Sequence, residues 1–393
     1  MQETHTIDSW KRKMKRIDGL RQRNTWGISP RGLQILDLPL ISSRITTFLD
    51  KTDVRQLIQS ILLLVLPIFY GWIVLLFTVY RAIKNGKKFF KTEIVDAPKA
   101  LYDPKLGKHG FIELKNQGLR LHYVEAGDRN KPLVLLLHGF PDFWYSWRHQ
   151  IPRLAQKYWV VAVDLRGYGE SDHPSDVKAY LIKELYEDAN ELITSFGRDS
   201  AIVIGHDWGG IIAWYLAILH PEKVKKLIII NSPHPRAFSS VVRRSLKQFL
   251  MSWYMYFFQL PFLPEIYIRA NNLSTLSKIY QGKNKNRCTD EELECYKHVF
   301  SQPGALTPPL NYYRANLKTV DKNEKDLTGK GKVDTPTLIV WGDRDIALST
   351  DLVKASIKHC NNLKIEMIEG AGHWVHHERP ETVNNHIENF LKN

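Results

Sequence analysis

Cysteine is scarce in this sequence of 393 residues, which contains only Cys288, Cys295 and Cys360. Three scattered cysteines are too few for a disulfide framework or a four-cysteine zinc site, and they can form at most one disulfide. The sequence also lacks low-complexity tracts and internal repeats, while 44% of its residues are hydrophobic. These features exclude a repeat array and a broadly disordered chain, and they favour one large or two modest globular domains.

The positive charge is concentrated in the N-terminal quarter. The formal net charge is +14 at pH 7. Residues 1–100 hold 17 lysines and arginines against 8 acidic residues, whereas residues 101–393 hold 38 against 33. Basic runs such as Lys11–Arg16 lack a recognisable nucleic-acid-binding module. We therefore interpret the excess charge as solvated or lipid-facing, and we expect no nucleic-acid partner.

One long hydrophobic run carries no charge, from Leu57 to Tyr80. Its 24 residues exceed the roughly 20 that a helix needs to cross a bilayer, and membrane helices tolerate a proline such as Pro67. The run starts far from Met1, is too long for a signal peptide and lacks a cleavage pattern after it. A buried core helix is the alternative. We predict a basic tail over 1–56, a single transmembrane helix over 57–80 and a basic juxtamembrane linker over 81–109.

The orientation of this span stays open. Six lysines and arginines in 81–100 against three in 37–56 favour a cytoplasmic C-terminal side. The tail of residues 1–56, however, carries eleven basic residues and would be costly to translocate. The sequon Asn272-Leu273-Ser274 is compatible with a lumenal C-terminal domain.

From about residue 110, short apolar runs alternate with helical stretches such as Ala179–Phe196. This alternation predicts an α/β domain with a mostly parallel sheet over 110–393. The segment from about 233 to 335 interrupts the alternation with helix-like, aromatic-rich sequence, so we predict an inserted helical cap there. The expected strands are Arg120–Glu125, Leu133–Leu137, Trp159–Val163, Ala201–Ile204, Leu227–Ile230, Thr337–Trp341 and Lys364–Ile368.

The strongest local motif is Gly205-His206-Asp207-Trp208-Gly209-Gly210, between an expected strand and an apolar helix. Glycines two before and two after a central residue allow a tight turn that exposes that residue, as in a nucleophile elbow. The central residue here is Asp207. Its alternative role is to cap the following helix.

Three further motifs follow strands. His138-Gly139-Phe140-Pro141 lies where one backbone N–H of an oxyanion hole belongs, and the residue after the nucleophile supplies the other, so the donors are the amides of Phe140 and Trp208. Asp345 and His373, each after a later strand, then occupy the positions of a triad acid and a triad base, so that the chain order is nucleophile, acid and base.

Each assignment has a competitor. Asp343 competes with Asp345, although it can instead fix the turn or pair with Arg344. His376 and His377 compete with His373, but we expect both to lie on the surface. We expect His138 to brace its loop rather than to act in catalysis.

With these motifs, together with Asp164-Leu165-Arg166-Gly167-Tyr168-Gly169, the chain from about residue 110 to its end resembles the α/β-hydrolase-fold epoxide hydrolases. With the N-terminal span, it is similar to the membrane-anchored branch that includes epoxide hydrolases 3 and 4 and their invertebrate relatives. The resemblance implies two cap tyrosines that hold the epoxide oxygen. Tyr313 matches one, and Tyr254 matches the other, with its neighbour Tyr256 as the alternative.

An aspartate nucleophile suits an epoxide. A carboxylate can displace a leaving group from an sp³ carbon and form an alkyl ester, whereas serine attacks acyl carbons. Tyrosine stays protonated at neutral pH and can supply the proton that the opened ring needs. Water activated by His373, which Asp345 orients, then releases a vicinal diol. This chemistry requires no metal or organic cofactor.

The expected substrate is a small apolar epoxide, since the cap is rich in aromatic and aliphatic residues around 249–263. A membrane anchor makes fatty-acid epoxides a reasonable class and the endoplasmic reticulum a reasonable location. One alternative is a haloalkane or haloacid dehalogenase on the same fold, which needs N–H donors for halide and no acidic donor. The other is an inactive membrane-tethered binding protein, for which a broken triad is expected.

Overall fold

The computed structural model describes residues 51–281, 288–317, 327 and 330–392, and an eight-stranded sheet forms its centre. The strand order is β1-β2-β4-β3-β5-β6-β7-β8. Strands β1 and β2 pair antiparallel, β2 pairs antiparallel with β4, and the other neighbouring pairs are parallel. The strands are β1 Lys108–Leu114, β2 Leu119–Ala126, β3 Leu133–Leu137, β4 Trp159–Val163, β5 Ala201–His206, β6 Val224–Ile230, β7 Thr337–Gly342 and β8 Leu363–Ile368.

The expected α/β fold with a mostly parallel sheet is confirmed. All seven predicted runs fall within β2 to β8, and β3, β4 and β5 are buried along their whole length, as strands covered on both faces should be. The sequence did not reveal β1. This strand lies at the sheet edge, and only Leu114 in it is fully buried, so its sequence lacks a strong apolar pattern.

Helices connect the parallel strands and carry their apolar sides into the core. Helix α4 is apolar on nearly all sides, because it packs against β3, β5 and β6 directly behind the site described below. The helices outside the β6–β7 connection are α1 Lys51–Asn85, α2 Ile151–Leu154, α3 Ile182–Ser195, α4 Asp207–Leu219, α11 Asp351–Ser356, α12 Val375–Glu378 and α13 Pro380–Lys392. Short 3₁₀ helices cover Gly86–Phe90, Lys99–Tyr102, Trp144–Trp147, Val177–Tyr180, Pro221–Lys223 and Ile357–His359.

Six further helices of the described residues lie between β6 and β7, within the segment that the sequence predicts as a cap. Helix α8 contains a kink at residues 270–273, where the backbone leaves the helical region. This insertion leaves the sheet at the carboxyl end of β6, the edge at which the site described below lies, and returns to the amino end of the parallel strand β7. These helices are α5 Pro235–Arg244, α6 Leu246–Met251, α7 Trp253–Phe257, α8 Leu263–Tyr280, α9 Asp290–Ser301 and α10 Thr307–Asn316.

Helix α1 contains the predicted transmembrane run. Among the described residues, the stretch Ser60–Phe90 is the one helical candidate that is long and apolar enough to cross a membrane, with a mean hydropathy of 2.5 over its most apolar 18 residues. Only 22% of its most apolar window is buried. Its length and composition fit a membrane anchor. The basic tail predicted over 1–56 lies outside the described residues up to position 50.

Candidate active site

Asp207 occupies the sharp turn between β5 and α4. Its φ is +49°, in the left-handed region that non-glycine residues rarely adopt. The glycines around it allow this turn, because a Cβ on Gly209 would lie 2.1 Å from the Leu137 carbonyl oxygen and one on Gly205 would lie 2.4 Å from the Gly209 oxygen. The sequence Gly-His-Asp-Trp-Gly-Gly therefore makes the Asp207 carboxylate project from the carboxyl edge of the sheet.

The loop after β3 brings a backbone donor to this carboxylate. The Phe140 amide donates a hydrogen bond of 3.0 Å to Asp207 Oδ1. Gly139 makes the close approach possible, since a Cβ there would lie 2.4 Å from the Asp207 Cβ. Trp208 is in the first turn of α4, where backbone N–H groups have no acceptor within the helix. Of the two amides expected from the sequence, that of Phe140 bonds Asp207, and that of Trp208 directly follows Asp207 in the chain.

His373 lies between two carboxylates. Its Nε2 is 3.4 Å from Asp207 Oδ2, and its Nδ1 is 2.7 Å from Asp345 Oδ2. Asp345 Oδ1 in turn accepts hydrogen bonds from the amides of Ala347 and Leu348, at 2.8 and 2.9 Å. The structure therefore brings together the three side chains that the sequence placed after β5, β7 and β8.

Asn231 is a member of this arrangement that the sequence did not reveal. Its Nδ2 donates to Asp345 Oδ2 at 2.7 Å, and its Oδ1 accepts from the Gly342 amide at 3.2 Å. Its φ of +41° lies in the left-handed region, which asparagine tolerates better than most residues. The available signal was an asparagine directly after the buried strand β6, at the same sheet edge as the other site residues.

The competitors for the acid and base lie elsewhere. Asp343 accepts from the Gly370 amide at 2.7 Å and so ties the loop after β7 to the loop after β8. The expectation that His376 and His377 lie on the surface is wrong, because they are only 0% and 6% exposed. Helix α12 turns both rings inwards, and His376 packs on Trp147. Burial lowers the pKa of both imidazoles, which pack as neutral rings.

Two tyrosines from the cap face the carboxylate. Tyr313 on α10 and Tyr254 on α7 line a cavity of about 110 Å³ together with Asp207 and Trp208. Their rings stand nearly perpendicular, with centroids 5.9 Å apart. Tyr256 instead packs against Phe249, outside the residues that line this cavity.

The electrostatics of the site favour an ionised Asp207 and neutral tyrosines. Burial alone would raise the pKa of Asp207, but His373, His206 and the Phe140 amide outweigh it and hold this pKa below its usual value. Burial opposes protonation of His373, yet Asp345 and Asp207 raise its pKa well above 6.5. Burial first, and the charge of Asp207 second, raise the pKa of Tyr254 and Tyr313. Both phenols therefore keep their protons at neutral pH.

Apolar side chains form most of the remaining cavity wall. The lining includes Ile182, Ile211, Pro233, Pro235, Phe238, Met255, Leu317 and Leu348. An apolar molecule that places one polar atom near Asp207 and the two tyrosines fits such a cavity.

Potential metal ligands cluster at two other places in the described part of the chain: Asp142, His206 and His376, and His109, His122 and Glu170. Asp142 and His122 in these clusters are engaged in internal hydrogen bonds. The Asp142 carboxylate accepts from the Tyr280 hydroxyl and the Trp374 indole, and His122 bonds Asp164. Neither cluster lines the cavity.

Comparisons with known proteins, by family model and by sequence, agree on one family. The model of the alpha/beta hydrolase fold matches residues 132–380. Epoxide hydrolase 4 of Mus musculus is 40% identical over 325 residues, which are 81% of this chain and 88% of the relative. Epoxide hydrolase 1 of Caenorhabditis elegans is 42% identical over 318 residues, which are 78% of this chain and 75% of the relative.

A solved structure extends the comparison to three dimensions. The structure of Bacillus megaterium epoxide hydrolase in complex with an inhibitor superimposes with a TM-score of 0.66 at 34% identity. The match covers 72% of this chain and 100% of that one.

Proposed function

This chain belongs to the epoxide hydrolases of the α/β-hydrolase fold, and we propose that it converts lipid epoxides to vicinal diols through an ester on Asp207. The single observation that carries the proposal is one cavity lined by Asp207, Tyr254 and Tyr313, with His373 held between Asp207 and Asp345 directly beside it. A serine at the centre of the elbow would favour acyl transfer instead.

In the first step, an Asp207 carboxylate oxygen attacks one epoxide carbon and the C–O bond of the ring breaks. The released oxygen takes a proton from Tyr313 or Tyr254, which hold that oxygen from the cap side. Raised pKa values keep both phenols protonated until the ring oxygen becomes strongly basic. The products of this step are an alkyl ester of Asp207 and a hydroxyl group on the neighbouring carbon.

In the second step, His373 removes a proton from a water molecule that attacks the ester carbon. Asp345 stabilises the imidazolium that forms, and the amides of Phe140 and Trp208 stabilise the negative charge on the Asp207 carbonyl oxygen. Removal of one such donor in comparable sites costs about 3–4 kcal/mol of transition-state stabilisation. Collapse of this intermediate breaks the bond between the ester carbon and the alkyl oxygen, and the His373 imidazolium returns its proton to the leaving alkoxide. The carboxylic acid proton that Asp207 then carries restores the tyrosinate of the first step, so that all four side chains regain their starting states as the diol is released.

The substrate class follows from the cavity and from helix α1. The cavity wall is mainly apolar, and helix α1, whose most apolar 18 residues have a mean hydropathy of 2.5, precedes the hydrolase domain. We therefore propose a single-pass membrane protein of the endoplasmic reticulum that acts on fatty-acid epoxides, with a domain boundary near residue 110 and a cap over about 233–335.

The proposal is tested by diol formation from an epoxy fatty acid in vesicles that contain the full chain. Wild-type protein should form the diol, and the Asp207→Asn variant should not. The same preparations should release no halide from a long-chain bromoalkane, which the dehalogenase alternative requires. Halide release without diol formation would replace the proposed function with that alternative.

A further inference from the structure

Helix α1 contacts the rest of the protein through one narrow stripe. Pro67, Gly71, Val74 and Thr78 are buried, and their spacing of four, three and four residues places them on one helix face. The remaining faces are also apolar. They carry twelve large apolar side chains, each at least 46% exposed: Ile61, Leu64, Val65, Ile68, Phe69, Trp72, Ile73, Leu76, Phe77, Val79, Tyr80 and Ile83. A helix that is apolar all round suits lipid better than water.

The buried stripe packs against the cap. The Tyr70 ring lies 6.0 Å from the Trp253 ring of α7. At Gly71 the helix meets the loop between α7 and α8, because a Cβ there would lie 2.3 Å from Leu260 Cδ1. Further along, Arg81 donates to Ser274 on α8 at 3.3 Å. The cap therefore contacts α1 along the C-terminal half of this helix, and not only at its last turn.

This contact sets the depth of the cap in a bilayer. Gly71 precedes Arg81, the first charged residue after the apolar run, by ten residues, which is about 15 Å along a helix axis. With Arg81 at the membrane surface and a tilt of up to about 40°, Gly71 lies roughly 11–15 Å below that surface. Leu260 lies beside it. Either the cap enters the hydrocarbon core of the bilayer, or α1 cannot span the bilayer while it packs against the cap in this way.

The cap segment at this contact has the composition of a lipid-facing surface. Phe249–Ile268 contains twenty residues, of which only Glu265 is charged. Leu250, Phe262 and Ile266 are 53%, 76% and 44% exposed. Phe262 has a φ of +64°, a strained backbone that presents an aromatic side chain outwards. Pro261 and Pro264 make this segment a poor second span.

Polar groups of the same segment turn inwards, as immersion in lipid requires. Glu265 forms an ion pair of 2.9 Å with Arg314, and both side chains are largely buried. Arg314 also donates to the backbone carbonyls of Phe258 and Leu260, at 3.0 and 2.7 Å. The Gln259 side chain donates to the carbonyls of Met255 and Tyr313, both at 3.0 Å.

We propose that the cap segment Phe249–Ile268 is immersed in the bilayer beside α1, with Phe262 and Leu250 in contact with lipid. The proposal rests on the membrane anchoring proposed above. It has a consequence for the substrate, because α7 carries both Trp253, which meets α1, and Tyr254 and Met255, which line the cavity. One short helix then separates bilayer from active site, and a lipid epoxide reaches the cavity from the membrane by displacement of that helix.

Depth-dependent fluorescence quenching tests this proposal. Full-length variants F262C, L250C, L64C and E222C are labelled with the fluorophore NBD and reconstituted in phosphatidylcholine vesicles, with nitroxides near the headgroup or deep in the acyl chain. The native cysteines are buried, and labelled wild-type protein supplies the background. Glu222 lies in the turn before β6, at the end of the sheet away from the cap, and serves as the water-exposed control. L64C reports on α1 itself.

Immersion predicts that labels at 262 and 250 are quenched at least about half as strongly as the label at 64, and about fivefold more than the label at 222. Quenching at 64 with labels at 262 and 250 matching the control would overturn cap immersion and leave the anchor in place. Labels at 262 and 250 that are shielded from water but not quenched by lipid would assign this surface to a second copy of the chain, against the proposal. Absence of quenching at 64 would remove the anchor and the proposal together.

Discussion

At the scale of single residues, Asn231 links the acid of the site to the sheet. It bonds Asp345 Oδ2, the same oxygen that faces His373 Nδ1, and it is fixed by the Gly342 amide. We infer that Asn231 is a positioning residue, which acts on the reaction by holding Asp345 and therefore the orientation of the His373 ring.

The Asn231→Gly variant isolates this role, because glycine keeps the left-handed backbone and removes only the side-chain amide. Hydrogen bonds to charged groups contribute about 1.5–3 kcal/mol, so hydrolysis of the ester should slow by roughly 10- to 100-fold. Single-turnover kinetics should place the loss in decay of the ester, with formation of the ester nearly unchanged. Equal decay rates in the variant and the wild type would refute a positioning role.

The two cap tyrosines can be separated from their neighbour by conservative changes. Tyr313→Phe and Tyr254→Phe should each slow ester formation by about 100-fold or more, because they remove a positioned proton donor. Tyr256→Phe is the matched control, two residues from Tyr254 on the same short helix with its ring against Phe249, and it should stay within about twofold of wild type. A larger loss at Tyr256 than at Tyr254 would reverse the assignment.

The pKa shifts give opposite pH dependences for the two steps. Ester formation needs ionised Asp207, whose pKa is lowered, so this step should persist as the pH falls. Hydrolysis needs neutral His373. Because Asp207 is uncharged in the ester, Asp345 is then the carboxylate that raises this pKa against the effect of burial, and the step should weaken as the pH falls below the pKa of His373 in the ester. The ester should therefore accumulate more at pH 5 than at pH 8, as measured by rapid quench and mass spectrometry of the intact protein. Less ester at the lower pH would contradict this order of titration.

At the scale of elements, the strand-to-helix turn packs so closely on its neighbours that no side chain fits at Gly209 or Gly210. A Cβ on Gly209 would meet the backbone oxygen of Leu137, and one on Gly210 would lie 2.4 Å from the Ser232 Cβ. Helix α4 thus lies against β3 and the end of β6, and this close packing holds the Asp207 turn in its strained conformation.

Gly209→Ala should lower the free energy of unfolding by about 1–3 kcal/mol or more, because the added methyl group meets fixed backbone. Gly331→Ala is the control, since no atom lies within 4 Å of the Cβ that would be added there. Thermal unfolding followed by circular dichroism should separate the two variants by several degrees. Similar midpoints would show that the turn relaxes easily.

The sequence predicts those elements that a pattern of neighbouring residues marks. Apolar runs and glycine-rich turns predict seven of the eight strands and place Asp207, Asp345 and His373 at strand ends. The role of Asn231 depends on the pairing of β6 with β7, which no local pattern displays. The edge strand β1 lacks an apolar pattern because only Leu114 in it is buried, and the two histidines of α12 look exposed although tertiary contacts bury them.

At the scale of the whole molecule, three layers follow one another: α1 with its apolar exposed faces, the cap, and the sheet that carries the proposed nucleophile Asp207. The cavity lies between the last two layers, and its wall includes residues of α7, which also contacts α1. If α1 anchors the protein as proposed, an apolar epoxide dissolved in the membrane lies one short helix away from the site at the sheet edge.

The ester on Asp207 is the central claim of this account, and mass spectrometry of the His373→Gln variant tests it most directly. After incubation of the full-length variant with a long-chain fatty-acid epoxide, the account predicts a mass increase equal to the intact epoxide, mapped to Asp207, without release of diol. The Asp207→Asn, His373→Gln double variant should gain no mass. An unmodified His373→Gln protein, or an adduct that forms equally in the double variant, would contradict an Asp207 nucleophile.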